Sequence, residues 1–224
     1  MQTRNQKQNT NIFFLRHGKV DLPYPSHDAM PFHVLNRLAK QELDPASDKA
    51  YFDSHAPSFK AFLKRFEFTH LFHSPSQRCV SLTSYIRTLP HSSIPKIEIR
   101  TELQEIKFDL AELFETPHVA LPEIKLRIIE RLLQGGAGVE SLSDVLDRVR
   151  GFIKTLPSSG NVLILSHGYL MMVIAALLQS SREEISKEAL VSIPRFGYFD
   201  GFSVEEATID YFSIGNQLGA STDT

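Results

Sequence analysis

The stretch Asn11-Ile12-Phe13-Phe14-Leu15-Arg16-His17-Gly18 decides how the rest of this 224-residue chain can be organised. Ile12 to Leu15 form a short apolar run without helical spacing, which predicts a buried β-strand. The run ends in two basic residues, Arg16 and His17, and then in Gly18, a residue that lets the backbone turn sharply. A buried strand that ends in polar residues is typical of an open α/β sheet, in which the carboxyl ends of the strands face the ligand crevice.

The same pattern occurs a second time. Val162 to Leu165 form another apolar run, which leads into Ser166, His167 and Gly168. The carboxyl ends of neighbouring parallel strands lie at the same edge of a sheet. If the two runs are such neighbours, the two histidines meet at one site.

Strand and helix patterns alternate along the chain. We predict further strands at Thr69–His73 and Lys96–Arg100, short edge strands at Phe199–Val204 and Thr208–Ser213, and helices at Pro31–Leu43, Pro57–Phe66, from Ser74 onward, Pro122–Leu133, Ser141–Leu156 and Tyr169–Leu178. In Ser74-Pro75, serine suits a helix cap and proline the first helical position. The alternation predicts an α/β fold with three layers, in which helices cover both faces of a mostly parallel central sheet.

The domain organisation predicted from the sequence is simple. No repeat, low-complexity tract or linker divides the chain, so we expect a single domain over residues 11–215 after a disordered tail at residues 1–10.

Composition excludes several classes of protein. A net charge of −2 argues against a nucleic-acid partner, because binding to a phosphate backbone needs a basic surface. The single cysteine, Cys79, cannot form an internal disulfide, and the polar start of the chain lacks the apolar core of a signal peptide. The apolar residues Tyr169–Leu178 are too few to span a membrane. We therefore expect a cytoplasmic protein without a membrane partner.

Five short motifs carry a resemblance to a known family. They are, in chain order, Leu15-Arg16-His17-Gly18, Ser74-Pro75-Ser76-Gln77-Arg78, Leu103-Gln104-Glu105, Glu140-Ser141 and Ser166-His167-Gly168. In this order the chain resembles the histidine phosphatase superfamily, in its phosphoglycerate mutase-like branch, over roughly residues 12–178. An Arg-His-Gly triplet alone would be a weak signal, but its combination with the other motifs in a strand context is specific.

The residue types in these motifs suit phosphoryl transfer, which depends on positioning and on cationic stabilisation of the phosphoryl oxygens. Arginine carries a planar, permanently charged fork that binds phosphate through two hydrogen bonds, so Arg16 and Arg78 are candidate phosphate ligands. A helix amino terminus at Gly168 would add backbone amide donors. Histidine is a nucleophile in its neutral form, which is available near pH 7.

The resemblance implies a role for both histidines and for one acidic residue. His17 corresponds to the nucleophile that forms a phosphohistidine, and His167 to the second histidine, which holds the phosphoryl oxygens. Glu105 corresponds to the acid that protonates the leaving oxygen and later helps to deprotonate water. Glu102 and Asp109 flank it, and the residues alone leave open which of the three is the acid. The resemblance implies no cofactor, and no cluster of His, Asp or Glu has the spacing of metal ligands.

The residues around this predicted phosphate site depart from the family pattern. Lys19-Val20 stands where an acidic or amide residue and a hydroxyl residue are usual, and Pro23 replaces an asparagine. The glycines and the aromatic residue that often follow the acid are missing from Ile106–Asp109. We expect residues 19–56 and 106–140 to form the substrate rim, and its specificity cannot be inherited from another member.

The expected function is that of a metal-independent phosphomonoesterase acting on a small phosphorylated molecule. One alternative is a phosphomutase of the same superfamily, which usually needs a richer basic lid than Lys107–Val139 offers. The other alternative is a non-catalytic protein that binds a phosphorylated ligand, against which the retention of both histidines and both arginines argues.

Overall fold

The computed structural model describes residues 10–25, 29–90, 94–115, 121–180, 185–205 and 208–214, so most of the predicted tail lies outside the described residues. The strands in this part of the chain are β1 (Ile12–Arg16), β2 (Phe68–His73), β3 (Lys96–Ile99), β4 (Asn161–Ser166), β5 (Asp200–Glu205) and β6 (Thr208–Ser213). The helices are α1 (Phe32–Ala39), α2 (Lys49–Phe66), α3 (Gln77–Thr88), α4 (Leu110–Leu113), α5 (Leu121–Gln134), α6 (Leu142–Ile153), α7 (Gly168–Gln179) and α8 (Lys187–Ser192), and a 3₁₀ turn spans Thr101–Leu103.

The six strands form one sheet in the order β3-β2-β4-β1-β5-β6. The first four are parallel to one another, whereas β5 pairs antiparallel with both β1 and β6. The predicted mostly parallel sheet is therefore confirmed, and so is the parallel pairing of the two apolar runs. Arg16 pairs with Ser166, so the two histidines directly follow paired positions. The prediction of two edge strands is correct for β6 only, because β5 lies between β1 and β6.

Helices pack against both faces of the sheet, as predicted. On β1, Phe13 and Leu15 belong to one hydrophobic cluster, which includes residues of α2 and α3. Phe14 points to the other face and belongs to a second cluster, which includes residues of α5, α6 and α7. Apolar side chains on both faces of a strand explain why the run does not alternate with polar residues.

The start of α2 differs from the prediction, which placed it at Pro57. The helix begins at Lys49, because the Asp48 carboxylate accepts hydrogen bonds from the amides of Ala50 and Tyr51. Pro57 therefore lies in the helix interior, where it removes one backbone donor without ending the helix.

The apolar helix α7 closely matches its predicted bounds, and its residues from Leu170 to Ala176 are all buried. None of the helices in the described ranges combines the length and the hydropathy that a membrane crossing requires.

Candidate active site

His17 directly follows β1, and its side chain is only 5% exposed. Its Nδ1 lies 2.7 Å from the carbonyl oxygen of Gly18. A carbonyl can only accept, so Nδ1 carries the proton and Nε2 keeps its lone pair. Burial, followed by the nearby guanidinium groups of Arg78 and Arg16, holds the pKa of His17 well below its usual value. His17 is therefore neutral at pH 7, and none of the described side chains hydrogen-bonds its Nε2.

His167 directly follows β4 and is fully buried, with its ring centroid 5.2 Å from that of His17. Its Nδ1 accepts a hydrogen bond of 3.0 Å from Nε of Arg78. Since a guanidinium only donates, the imidazole proton lies on Nε2, which donates to Oγ of Ser74 at 2.8 Å. Burial and then Arg78 and Arg16 lower the pKa of His167 as well, so this imidazole is also neutral.

Ser74 belongs to the site rather than to a helix cap, which corrects the prediction. Its amide donates to the carbonyl of Leu165 at 3.1 Å, so the chain still follows the sheet edge here. Helix α3 begins three residues later with Ser76 as its N-cap residue, and the Asp44 carboxylate accepts from the amide of Gln77 at 2.8 Å. A serine before a proline has the same sequence pattern whether it caps a helix or, as here, lies at the edge of the sheet in the site.

Arg16 and Arg78 bring two positive charges into the site. Arg16 donates to the carbonyl of Phe196 at 2.5 Å and lies 4.8 Å from the ring centre of Tyr198. Its Nε is buried without an acceptor in the described chain, and burial lowers its pKa. Arg78 is 7% exposed, and its Nη1 lies 3.8 Å from the carboxylate of Asp44. One buried and one half-buried guanidinium group with so little compensation favour an anion between them.

The carboxyl group of Glu105 lies at the amino terminus of α7. Its Oε1 accepts from the amides of Leu170 at 2.8 Å and Ile106 at 3.0 Å, and its Oε2 accepts from the amide of Tyr169 at 3.2 Å. Burial raises the pKa of Glu105, and this effect outweighs the opposing effect of the three amides and of Arg78. The group therefore holds a proton more readily than an exposed glutamate.

The two alternative acids lie elsewhere. Glu102 pairs with Arg100 at 3.7 Å, and Asp109 pairs with Lys40 at 3.1 Å and accepts from the amide of Ala111 in α4. Neither lines the cavity that contains His17. Of the three carboxylates, only Glu105 lines this cavity together with His17.

The amides of α7 are not all available to a ligand, although the sequence predicted an anion there. Tyr169 and Leu170 donate to Glu105, so the protein supplies its own anion to this helix end. The amide of Gly168 donates to no acceptor in the described ranges, and Gly168 lines the cavity. Of the first three amides of α7, that of Gly168 is therefore the one left to donate to a ligand.

Gly18 is required for packing rather than for a turn. Its φ angle is not in the left-handed region. A Cβ at this position would lie 2.7 Å from the ring of Phe52 and 2.8 Å from the ring of Phe199. The predicted reason for the glycine is therefore wrong, and close approach of two aromatic rings replaces it.

A cavity of about 340 Å³ brings Arg16, His17, Arg78, Glu105 and Gly168 together. His167 is fully buried, is hydrogen-bonded to Arg78 and is not among the lining residues, so the cavity does not reach the histidine predicted to hold the phosphoryl oxygens. Both predicted rim segments contribute to the walls, but so do three residues that the sequence analysis missed, namely Pro194, Arg195 and Phe196. They follow α8 without a motif or periodicity that could have identified them.

Arg148 on α6 holds the segment that carries Glu105. Its Nη1 donates to the carbonyl oxygens of Glu102 at 2.5 Å and Gln104 at 2.9 Å, and its Nε and Nη2 pair with the carboxylate of Glu140 at 2.9 and 3.1 Å. Glu140 lies in one of the sequence motifs, but the motif assigns it no role. Nothing in the sequence indicates a role for Arg148, because charged residues on an amphipathic helix usually face solvent.

Cys79 lies below the site, with Sγ 3.9 Å from Nε2 of His167. Burial raises the pKa of its thiol to about 12, so it stays protonated and is a poor nucleophile. In the described residues, no group of three or more His, Cys, Asp or Glu side chains is arranged to hold a metal ion.

Comparison with known proteins identifies a family and a fold. The histidine phosphatase superfamily (branch 1) matches residues 53–193, a range that begins after His17. No curated protein matches the chain by sequence. Phosphoglycerate mutase from Bacillus anthracis is 17% identical, with a TM-score of 0.56 over 96% of this chain and 97% of that one.

Two phosphatases have similar structures. The mycobacterial glucosyl-3-phosphoglycerate phosphatase is 18% identical, with a TM-score of 0.61 over 86% of this chain and 88% of that one. The alpha-ribazole phosphatase from Shigella flexneri is 16% identical, with a TM-score of 0.58 over 91% and 95% of the two chains. Identities this low establish the fold alone. Since the family match spans more than half of the sequence, the chain belongs to the histidine phosphatase superfamily, branch 1.

Proposed function

We propose that the protein is a metal-independent phosphomonoesterase that acts through a phosphohistidine on a small phosphorylated molecule. The observation that carries this proposal is the state of His17. Its Nδ1 donates to the carbonyl of Gly18, which leaves an unprotonated Nε2 in a cavity shared with Arg16 and Arg78. A neutral imidazole beside two guanidinium groups suits attack on a phosphate dianion.

In the first step Nε2 of His17 attacks phosphorus, and the bond from phosphorus to the ester oxygen breaks. Glu105 donates its proton to the departing oxygen, so the alcohol leaves neutral and the carboxylate remains. Arg16, Arg78 and the amide of Gly168 bind the phosphoryl oxygens, whose charge they stabilise in the transition state. The raised pKa of Glu105 supports its role as the proton donor.

In the second step a water molecule attacks the phosphohistidine. The Glu105 carboxylate takes a proton from the water, the bond from phosphorus to Nε2 breaks, and inorganic phosphate leaves. His17 returns to its neutral form, and Glu105 is again protonated. One carboxyl group therefore serves as acid and then as base.

A phosphatase and a mutase differ in the molecule that accepts the phosphoryl group from the histidine in the second step. The similar structures include proteins of both kinds, so the fold does not decide between them. Transfer of labelled phosphoryl group to water supports the proposal, whereas transfer to an added phosphoglycerate acceptor contradicts it.

The direct test replaces the nucleophile. In a chelating buffer, we expect His17→Ala to lower hydrolysis of p-nitrophenyl phosphate by about three orders of magnitude or more, as for other covalent nucleophiles. His33→Ala is the matched control, because His33 is exposed and lies outside the cavity lining. A labelled ester should leave acid-labile, base-stable phosphate on the wild type. Acid-stable label, or substantial activity in a folded His17→Ala protein, would refute the mechanism.

A further inference from the structure

The walls of the cavity differ sharply from its phosphate-binding end. The charged lining residues already assigned, Arg16, His17, Arg78 and Glu105, all lie at the carboxyl edge of the sheet or beside the start of α7. The remaining lining residues come mainly from α1, the segment 108–110, α5 and the segment 194–196. The group esterified to phosphate must lie against these elements.

Most of these remaining residues are apolar. Leu35 and Leu38 line the cavity from α1, Phe108 and Leu110 from the segment before and at the start of α4, and Met172 from α7. Leu38 is half-buried and is not part of the hydrophobic clusters of the core, so its side chain has apolar surface left for a ligand. A ligand group that covers such surface gains the free energy of apolar burial.

The polar groups in these walls offer few partners to a hydroxylated ligand. The Lys125 ammonium donates to the carbonyl oxygens of Val191 and Ile193 at 3.3 and 2.8 Å, so two of its three donors are used. Arg195 is exposed. Tyr169 contributes one hydroxyl, and burial raises its pKa to about 12, so that hydroxyl is uncharged. In the described lining, Glu105 is the only carboxylate and there is no carboxamide.

We infer that the alcohol part of the substrate is apolar, so the substrate class is a phosphate monoester of an alkyl or aryl alcohol. This inference rests on the proposed function. A sugar or glyceric acid phosphate would bring several hydroxyl or carboxyl groups against apolar walls. Each polar group that loses water without finding a partner weakens binding.

The cavity predicts how affinity changes with chain length. Each methylene that is buried against the walls should strengthen binding roughly three- to fourfold, so hexylphosphonate should bind about fiftyfold more tightly than propylphosphonate. Alkylphosphonates cannot be hydrolysed, and calorimetry therefore measures their binding independently of catalysis. The hydroxylated analogue 2,3-dihydroxypropylphosphonate should bind more weakly than propylphosphonate.

A pair of variants tests the walls directly. Leu38→Asn should weaken hexylphosphonate roughly tenfold and leave methylphosphonate unchanged, because methylphosphonate reaches only the phosphate-binding end. Leu126→Asn is the control, since Leu126 is 44% exposed on α5 and does not line the cavity. Equal affinities along the series, tighter binding of the hydroxylated analogue, or identical behaviour of the two variants would overturn the inference.

The same series separates this inference from the proposed function. If p-nitrophenyl phosphate is hydrolysed but affinity does not grow with chain length, the function stands and the substrate class is wrong. If affinity grows with chain length but no ester is hydrolysed, the walls are as inferred and the phosphatase proposal is wrong.

Discussion

Glu105→Gln tests the assignment of the acid, because glutamine keeps the size of the side chain but has no proton to give to a leaving oxygen. Loss of a positioned general acid typically lowers the rate by about 10²- to 10⁴-fold. An alkyl leaving group needs the proton, so its cleavage should fall within that range. p-Nitrophenolate leaves well without it, and formation of the phosphoenzyme from p-nitrophenyl phosphate should fall less than about tenfold.

The structure also gives the cost of this substitution in stability. The carboxylate of Glu105 accepts three amide hydrogen bonds, two at Oε1 and one at Oε2. If the amide oxygen of glutamine takes the Oε1 position, its NH₂ group faces the N–H of Tyr169, and that donor loses its partner. An unpaired buried donor costs about 1–3 kcal/mol, which corresponds to a fall in Tm of roughly 3–9 °C for a protein of this length.

The assay separates chemistry from folding. The pre-steady-state burst of p-nitrophenol measures formation of the phosphoenzyme, and single-turnover cleavage of an alkyl ester measures the step that needs the acid. Glu102→Gln is the matched control, because Glu102 pairs with Arg100 and lies outside the cavity lining. Equal losses on the two esters would show that Glu105 is not the leaving-group acid.

Three further predictions concern the groups around this acid. Arg78→Lys keeps the charge but loses the planar fork that binds His167 and, in the proposed mechanism, the phosphoryl group, so kcat/KM and vanadate inhibition should both weaken about a hundredfold. The lowered pKa values of His17 and His167 mean that the unfolded state binds protons first, so the free energy of unfolding should fall as pH drops below 6.5. The slope measured by urea unfolding should approach 2.7 kcal/mol per pH unit at most, about 1.36 for each histidine, and the raised pKa of Glu105 opposes it. Arg148→Met should slow single-turnover alkyl cleavage more than the p-nitrophenol burst, because it displaces Glu105.

Each of these predictions has an outcome that contradicts it. Unchanged vanadate inhibition would place Arg78 outside the phosphate site. A pH slope that is the same in His17→Gln as in the wild type would mean that this histidine is not the group that titrates. For Arg148, the control is Arg127→Met, which removes an exposed pair with Glu130. Equal losses of Arg148→Met on both esters would indicate a purely structural role.

The sequence predicts the sheet well because a strand that is buried on both faces is recognisable as an uninterrupted apolar run. Val162 to Leu165 are all fully buried, and nothing but apolar residues suits a strand in that position. The two His-Gly steps are expected to meet because parallel neighbours end at one edge of a sheet, and the paired positions Arg16 and Ser166 confirm this expectation. These inferences need only local composition and the geometry of a parallel sheet.

Contacts between residues far apart in the chain were not predictable in the same way. Ser74 has the local signal of a helix cap, and only the packing of His167 against it shows that it belongs to the site. Arg148 lies 44 positions from Gln104, and its contact with that carbonyl leaves no periodicity or motif. The start of α2 at Lys49 is not predicted, because Pro57 offers a stronger local signal for a helix start.

A bound phosphate would change the electrostatics of the site in a way that favours the proposed mechanism. Burial, followed by Arg78 and Arg16, holds the pKa of His17 below its usual value, so the imidazole is neutral but weakly basic. A phosphate dianion bound between the two guanidinium groups would offset their charges, and the pKa of His17 would rise toward that of a better nucleophile. The same negative charge would raise the pKa of Glu105 further and keep its proton in place until the ester oxygen departs. One bound anion therefore prepares both the nucleophile and the acid, whereas a neutral ligand of the same shape prepares neither.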